Sequence, residues 1–171
     1  MIQSEFSKQD LIYLLNLKGN ERSLLRKKAA EIKNQTIGNK VYFRGLIEYS
    51  NKCKKDCYYC GVRASNKIPN RYQLSDEEVL EAAQFAFDNQ FASLVIQSGE
   101  RSDRTFIDKI EYLLREIKKL SSNQLGITLS CGEQTMETYN KWKQAGAHRY
   151  LLRIETSNKE LYAQLHPNYK M

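Results

Sequence analysis

Residues 41–60 read VYFRGLIEYSNKCKKDCYYC. β-branched and aromatic side chains fill 41–49, which predicts a strand over Val41 to Tyr49. Directly behind it, three thiols fall within eight residues: Cys53, Cys57 and Cys60. Sheets built from βα units carry their chemistry at the C-terminal ends of strands. The fold therefore depends on whether further strand–helix units follow.

Working outward, Ser75-Asp76-Glu77-Glu78 is a capping box ahead of a helix with Val79, Leu80, Ala83 and Phe87 on its apolar side. Ser93 to Gly99 (SLVIQSG) predicts a second strand. The helix from about Asp103 gathers Phe106, Ile110, Leu113, Leu114 and Ile117 on one face. Gly126 to Cys131 (GITLSC) predicts a third strand. Thr135 opens a helix with Met136, Tyr139 and Trp142 inward and a stop at Gly146. Arg149 to Glu155 (RYLLRIE) predicts a fourth strand. Ser157-Asn158-Lys159-Glu160, a second capping box, leads a helix through Leu161 and Leu165 to His166-Pro167. Ahead of all this, Ser7 caps a helix with Leu11, Ile12, Leu14 and Leu15, which stops at Gly19. Asn20 caps another, with Leu24, Leu25, Ala29 and Ile32, which ends at Gly38-Asn39.

Successive βα units imply an α/β fold with a parallel sheet. A doubly wound sheet and a barrel both satisfy that pattern. Polar and reactive residues at every strand end favour a (βα) TIM-type barrel, and a full barrel needs about eight units and more than ~200 residues. The expected organisation is a helical lead over 1–40 and the N-terminal half of a barrel over 41–171, the C-terminal half being absent. Half a barrel leaves sheet edges open, so association or low solubility is expected of the isolated chain.

The chain has 171 residues, 41% hydrophobic and 27% charged. No run reaches the ~18 apolar residues of a membrane span, and Met1–Glu5 has no secretory character. The expected location is cytoplasmic. Four cysteines without secretory context, three of them in one loop, point to a metal site rather than disulfides. The net charge of +7 leaves nucleic-acid binding as one reading, but a lysine-rich solvated surface is the favoured one. The most basic stretch, Asn51–Arg71, surrounds the cysteines, where positive charge favours thiolates.

Three thiolates at this spacing suit three corners of a four-iron four-sulfur cluster, with the fourth iron left open. Zinc ribbons need a second cysteine pair, and ferredoxins supply four cysteines per cluster. CxxxC-x-aromatic-C resembles the signature of the radical S-adenosylmethionine superfamily. The runs 41–63, 71–80, 94–100, 127–133 and 145–167 are together similar to the HydE family of [FeFe]-hydrogenase maturases. That resemblance implies a radical enzyme with a [4Fe-4S] cluster and S-adenosyl-L-methionine as cofactors, the cofactors carrying the hard chemistry.

It also implies roles. Cys53, Cys57 and Cys60 ligate the cluster, and Gln97, Ser98, Ser130, Arg153 and Glu155 line the cofactor pocket. The strand end Gln97-Ser98-Gly99-Glu100 holds the methionine amino group. Arg153 forks onto its carboxylate, and Glu155 accepts ribose hydroxyls or the amine. No further catalytic residue is assigned. Glu133 is read as a helix cap, Cys131 as a buried thiol without a role, His148 as a surface residue and His166 as a helix end. The implied substrate is a small molecule or an organometallic precursor of the diiron site, with other hydrogenase maturases as partners and neither membrane nor nucleic acid. A methylornithine-synthase-like or biotin-synthase-like enzyme is the alternative, and a basic nucleic-acid-binding metal module is the alternative from another class.

Overall fold

The computed structural model describes residues 6–167. Met1–Glu5, the segment without secretory character, and residues 168–171 lie outside them. The chain divides into two compact units, described here as residues 6–41 and 42–167.

The first unit holds α1 (Lys8–Asn16) and α2 (Gly19–Thr36). Ser7 and Asp10 cap α1 reciprocally: the Asp10 amide donates to Ser7 Oγ at 3.1 Å and the Ser7 amide to Asp10 Oδ2 at 2.8 Å. Gly19 does not end α1, which closes at Leu17; with φ +54° it begins α2. Asn20 therefore lies inside α2, whose N-cap, Lys18, makes no side-chain cap bond. Neither helix contains a buried residue.

The second unit runs β1 (Arg44–Ser50), α3 (Asp76–Asp88), β2 (Ser93–Ser98), α4 (Arg104–Leu120), β3 (Gly126–Ser130), α5 (Met136–Gln144), β4 (Arg149–Tyr150) and α6 (Lys159–Leu165). The strands form one parallel sheet in the order β1-β2-β3-β4. Side chains alternate across a strand. Ile47 and Tyr49, Leu94 and Ile96, and Ile127 and Leu129 are buried in one core with Val79, Ala83, Phe106, Ile110, Leu114, Ile117 and Trp142 of the helices. Burial of each aliphatic or aromatic side chain contributes about 1.5–3 kcal/mol. The alternate residues Leu46 and Glu48 are exposed and Gln97 is half-buried. Helices thus cover one face of the sheet and leave the other open, as in the wall of a barrel.

Several boundaries differ from expectation. β4 spans two residues rather than seven. It pairs with β3 alone, and β3 ends at Ser130, so beyond Leu151, whose amide still donates to Leu129 O at 2.8 Å, the chain has no ladder to join. Arg153 and Glu155 therefore lie on an irregular segment rather than on a core strand, and Glu155 has φ +61°. Met136, expected inward, is exposed in the first turn of α5. The cap of α6 is Asn158 rather than Ser157, its Oδ1 accepting from the amides of Glu160 and Leu161.

Candidate cofactor site

The site begins where β1 ends. The β1–β2 register shifts between Glu48 and Ser50, a bulge of the kind that re-aims a chain beside a site. Ser50 Oγ donates to Tyr72 O at 2.8 Å, and Asn51 exchanges bonds with Asn70 O and the Tyr72 amide. The segment before α3 therefore runs back beside the start of the cysteine loop.

Arg71 holds that loop from within. Its Nη1 donates to Asn51 O and Val62 O, both at 2.7 Å, and its Nη2 to Arg63 O at 2.7 Å and Asn66 O at 2.9 Å. The planar guanidinium suits such forked donation. In sequence Arg71 registered only as one more positive charge. Its acceptors are backbone carbonyls, which leave no mark in the side-chain pattern.

The end of β2 grips the loop from the other side. The Gly99 amide donates to Ser50 O at 2.9 Å, the Lys54 amide to Glu100 O at 2.9 Å, and the Glu100 amide to Cys53 Sγ at 3.3 Å. A Cβ on Gly99 would meet Lys52 O and lie 2.7 Å from Cys53 Cβ, so only glycine permits this approach. The carboxylate of Glu100, buried, faces Lys55 Nζ at 3.3 Å and accepts from the Glu133 amide at 2.8 Å. Lys55 is also buried and reaches Glu133 Oε2 at 2.9 Å. Burial disfavours its ammonium, but Glu133 and Glu100 more than offset this, and Lys55 titrates above the ordinary lysine value. Glu133 is thus an ion-pair partner and not a helix cap, the α5 cap being Thr135. Lys55, one of the positive charges expected around the cysteines, is a buried bridge between two strand ends.

Cys53, Cys57 and Cys60 are all free and half-buried. Burial pushes the Cys57 thiol up, against the pull of the Tyr59 hydroxyl and Lys55. Cys131 is fully buried, pushed up to about 11 by that burial, and packs in the core. His148 is exposed. His166, by contrast, is buried and bonded to Tyr59, a link with no sequence signal across so long a separation.

A cleft of about 870 Å³ opens on the uncovered side. All three loop thiols line it, together with Gln97, Ser98, Ser130, Arg153 and Glu155. Every candidate site residue read from the sequence thus borders one space. Ser98 Oγ donates to Gly99 O at 2.8 Å. Among the described residues Arg153 and Glu155 form no ion pair with each other or with any other residue. Among the described residues, too, no three His, Cys, Asp or Glu groups converge as a single-ion site would require. The three thiols border one open space, and three of them without a second cysteine pair suit a cluster rather than a zinc ribbon.

The Radical SAM superfamily model matches residues 47–170. The chain is 42% identical over 168 residues to the [FeFe] hydrogenase maturase subunit HydE of Thermotoga maritima, covering 96% of this chain and 46% of that one. It is 31% identical over 164 residues to 3-methylornithine synthase of Methanosarcina acetivorans, covering 94% and 46%. Among solved structures, methylornithine synthase (PylB) superposes with TM-score 0.78 at 27% identity, over 98% of this chain and 50% of that one. The maturase HydG superposes with TM-score 0.75 at 28% identity, over 96% and 37%. The chain spans about half the length of the curated relatives it matches. Superfamily members are enzymes that use a four-iron four-sulfur cluster and S-adenosylmethionine. Among the described residues no helix is long and apolar enough to cross a membrane. With a matching family model over most of its length and a parallel βα sheet carrying three free thiols on one loop, the chain belongs to the Radical SAM superfamily.

Proposed function

We propose that this chain supplies the cluster- and cofactor-binding part of a HydE-type radical enzyme that acts in assembly of the [FeFe]-hydrogenase diiron site. The observation that carries this reading is the cleft itself. Three unpaired thiols on one loop and the polar ends of the strands border the same open space. Its four βα units correspond to the first half of a barrel, with the helical unit as a lead.

Cys53, Cys57 and Cys60 hold the cluster. The Glu100 amide, already donating to Cys53 Sγ, stabilises sulfur as thiolate. Arg153 binds the methionine carboxylate and Glu155 the ribose hydroxyls, both being charged groups that border the cleft without an ion-pair partner among the described residues. Gln97, Ser98 and Ser130 supply hydroxyl, amide and carbonyl groups to the amino-acid part. Held there by these residues, the cluster and S-adenosylmethionine would supply one-electron reductive chemistry at the sulfonium carbon–sulfur bond. The protein's task is to orient and to exclude water.

The substrate is a small molecule or an iron–carbonyl–cyanide precursor received from other maturases. A methylornithine-synthase-like reaction is the second reading, supported by the likeness to that enzyme. Chemical reduction of the cluster-loaded chain with S-adenosylmethionine tests the proposal, with 5′-deoxyadenosine and methionine counted. The two products are expected in equal amounts and are lost in Cys57→Ala. Their absence from the loaded wild-type chain contradicts it. Rearrangement of a supplied amino acid favours the second reading.

A further inference from the structure

His166 closes α6, far in sequence from the cysteine loop, yet it is buried against that loop at 4% exposure. Its two ring nitrogens have different duties. Nδ1 lies 3.0 Å from Tyr162 O, which can only accept, so Nδ1 carries the proton. In the neutral ring Nε2 is then an acceptor, and Tyr59 Oη donates to it across 2.8 Å, the Cys57 sulfur being the competing acceptor for that one proton. The imidazole is stacked on Tyr162 at 4.0 Å and meets the Tyr59 ring edge-on at 5.3 Å. One residue earlier, the Tyr58 amide donates to Leu165 O at 3.0 Å. The Tyr58-Tyr59 pair between the second and third cysteines is therefore fastened, by backbone and by side chain, to the last turn of a helix outside the cysteine motif.

We infer that His166 is a positioning residue for the Cys57–Cys60 half of the loop, acting through the Tyr59 hydroxyl. This rests on the function proposed above. The Cys53 half is held separately, by Glu100. The two ties divide the work: one sets the first ligand against β2, the other sets the second and third against α6. A cluster needs its three ligands at fixed mutual separations, and Arg71 reaches the loop only before Cys53 and beyond Cys60, so without the second tie the Cys57–Cys60 turn between them would drift. Tyr59 also borders the cleft, so the same bond fixes an aromatic wall of the cofactor space.

Four variants test this: Tyr59→Phe, His166→Phe, the double variant, and His166→Gln, whose carbonyl restores an acceptor. In the metal-free chain, amide hydrogen exchange at Tyr58 and Cys60 is expected to quicken about five-fold in each phenylalanine variant, the worth of one neutral hydrogen bond. The double variant is expected to match Tyr59→Phe, because that change already deletes the bond to His166 together with the hydroxyl's contact to Cys57. His166→Gln is expected to return most of the protection, and the Lys54 amide on the other tie is expected to stay unchanged. After reconstitution, loss of cluster absorbance to a chelator follows the same order.

Wild-type exchange in Tyr59→Phe, multiplied effects in the double variant, or equal loosening at Lys54 would each overturn the inference. Should His166→Phe fail to fold, Tyr59→Phe decides alone, because its ring is half-exposed. If the wild-type chain takes up no cluster, the proposed function fails, while the exchange arm still decides on this bond.

Discussion

The backbone amide of Glu100 donates to the sulfur of Cys53 across 3.3 Å, joining the end of β2 to the first cysteine of the loop. The bond is possible only because Gly99 brings the two backbones together. Gly99→Ala is expected to push the strands apart at this point. A cost of about 2 kcal/mol is expected from the clash. Urea unfolding checks the stability, and iron retention after gel filtration checks the site; unchanged values in both would show that the approach is not needed.

Arg71 is the internal brace of the same loop. Arg71→Met removes the donors to four carbonyls while keeping the length of the stem. The freed carbonyls regain water only if the loop opens. Amide exchange across 51–66 is expected to quicken by roughly thirty-fold, corresponding to about 2 kcal/mol. The core helix α4 is expected to exchange at its wild-type rate.

Tyr49 is fully buried, and among the described residues its hydroxyl is the one buried side-chain polar atom without a partner. The ring packs against Phe106 at 6.2 Å. Tyr49→Phe keeps that packing and deletes the stranded hydroxyl. We expect it to stabilise the chain by about 1 kcal/mol, read as a higher urea midpoint with an unchanged slope. A lower midpoint would mean that the hydroxyl is satisfied in solution.

Alkaline pH should weaken the fold through two buried acids. Burial raises Cys131 from 9.0 to about 11 and Tyr49 from 10.0 to about 12. Above pH 9 the unfolded thiol releases its proton while the folded one keeps it, so unfolding is favoured as pH rises. The stabilisation from Cys131 is whole below pH 9 and lost towards 11; that from Tyr49 is whole below 10 and lost towards 12. Unfolding free energy measured at pH 8, 9.5 and 10.5 is expected to fall steadily. Cys131→Ala is expected to flatten the first part of that fall.

Much of this was legible in the sequence because it depended on periodicity and local chemistry. Leu94, Ile96, Ile127 and Leu129 alternate as buried strand residues should, Ser75 caps α3 as its capping box implies, and helices open at Asp103 and Thr135, where they are expected to start. The loop thiols and the strand-end residues share a cleft because parallel βα units deliver strand ends to one side. What failed depended on partners. Arg153 and Glu155 alternate with apolar residues in strand fashion, but a strand exists only where a neighbour accepts its bonds. Lys55, Arg71 and His166 carry no local pattern at all. Their roles come from buried carboxylates, loop carbonyls and a tyrosine hydroxyl brought close by the fold.

The proposed site has three cysteines holding a cluster with one iron left open to S-adenosylmethionine. Anaerobic reconstitution followed by electron paramagnetic resonance of the reduced chain, with and without S-adenosylmethionine, tests it most directly. About four irons and four sulfides per chain are expected, with a reduced-cluster signal whose g-values move when S-adenosylmethionine is added. Zinc in place of iron, or a cluster signal indifferent to S-adenosylmethionine, would contradict it.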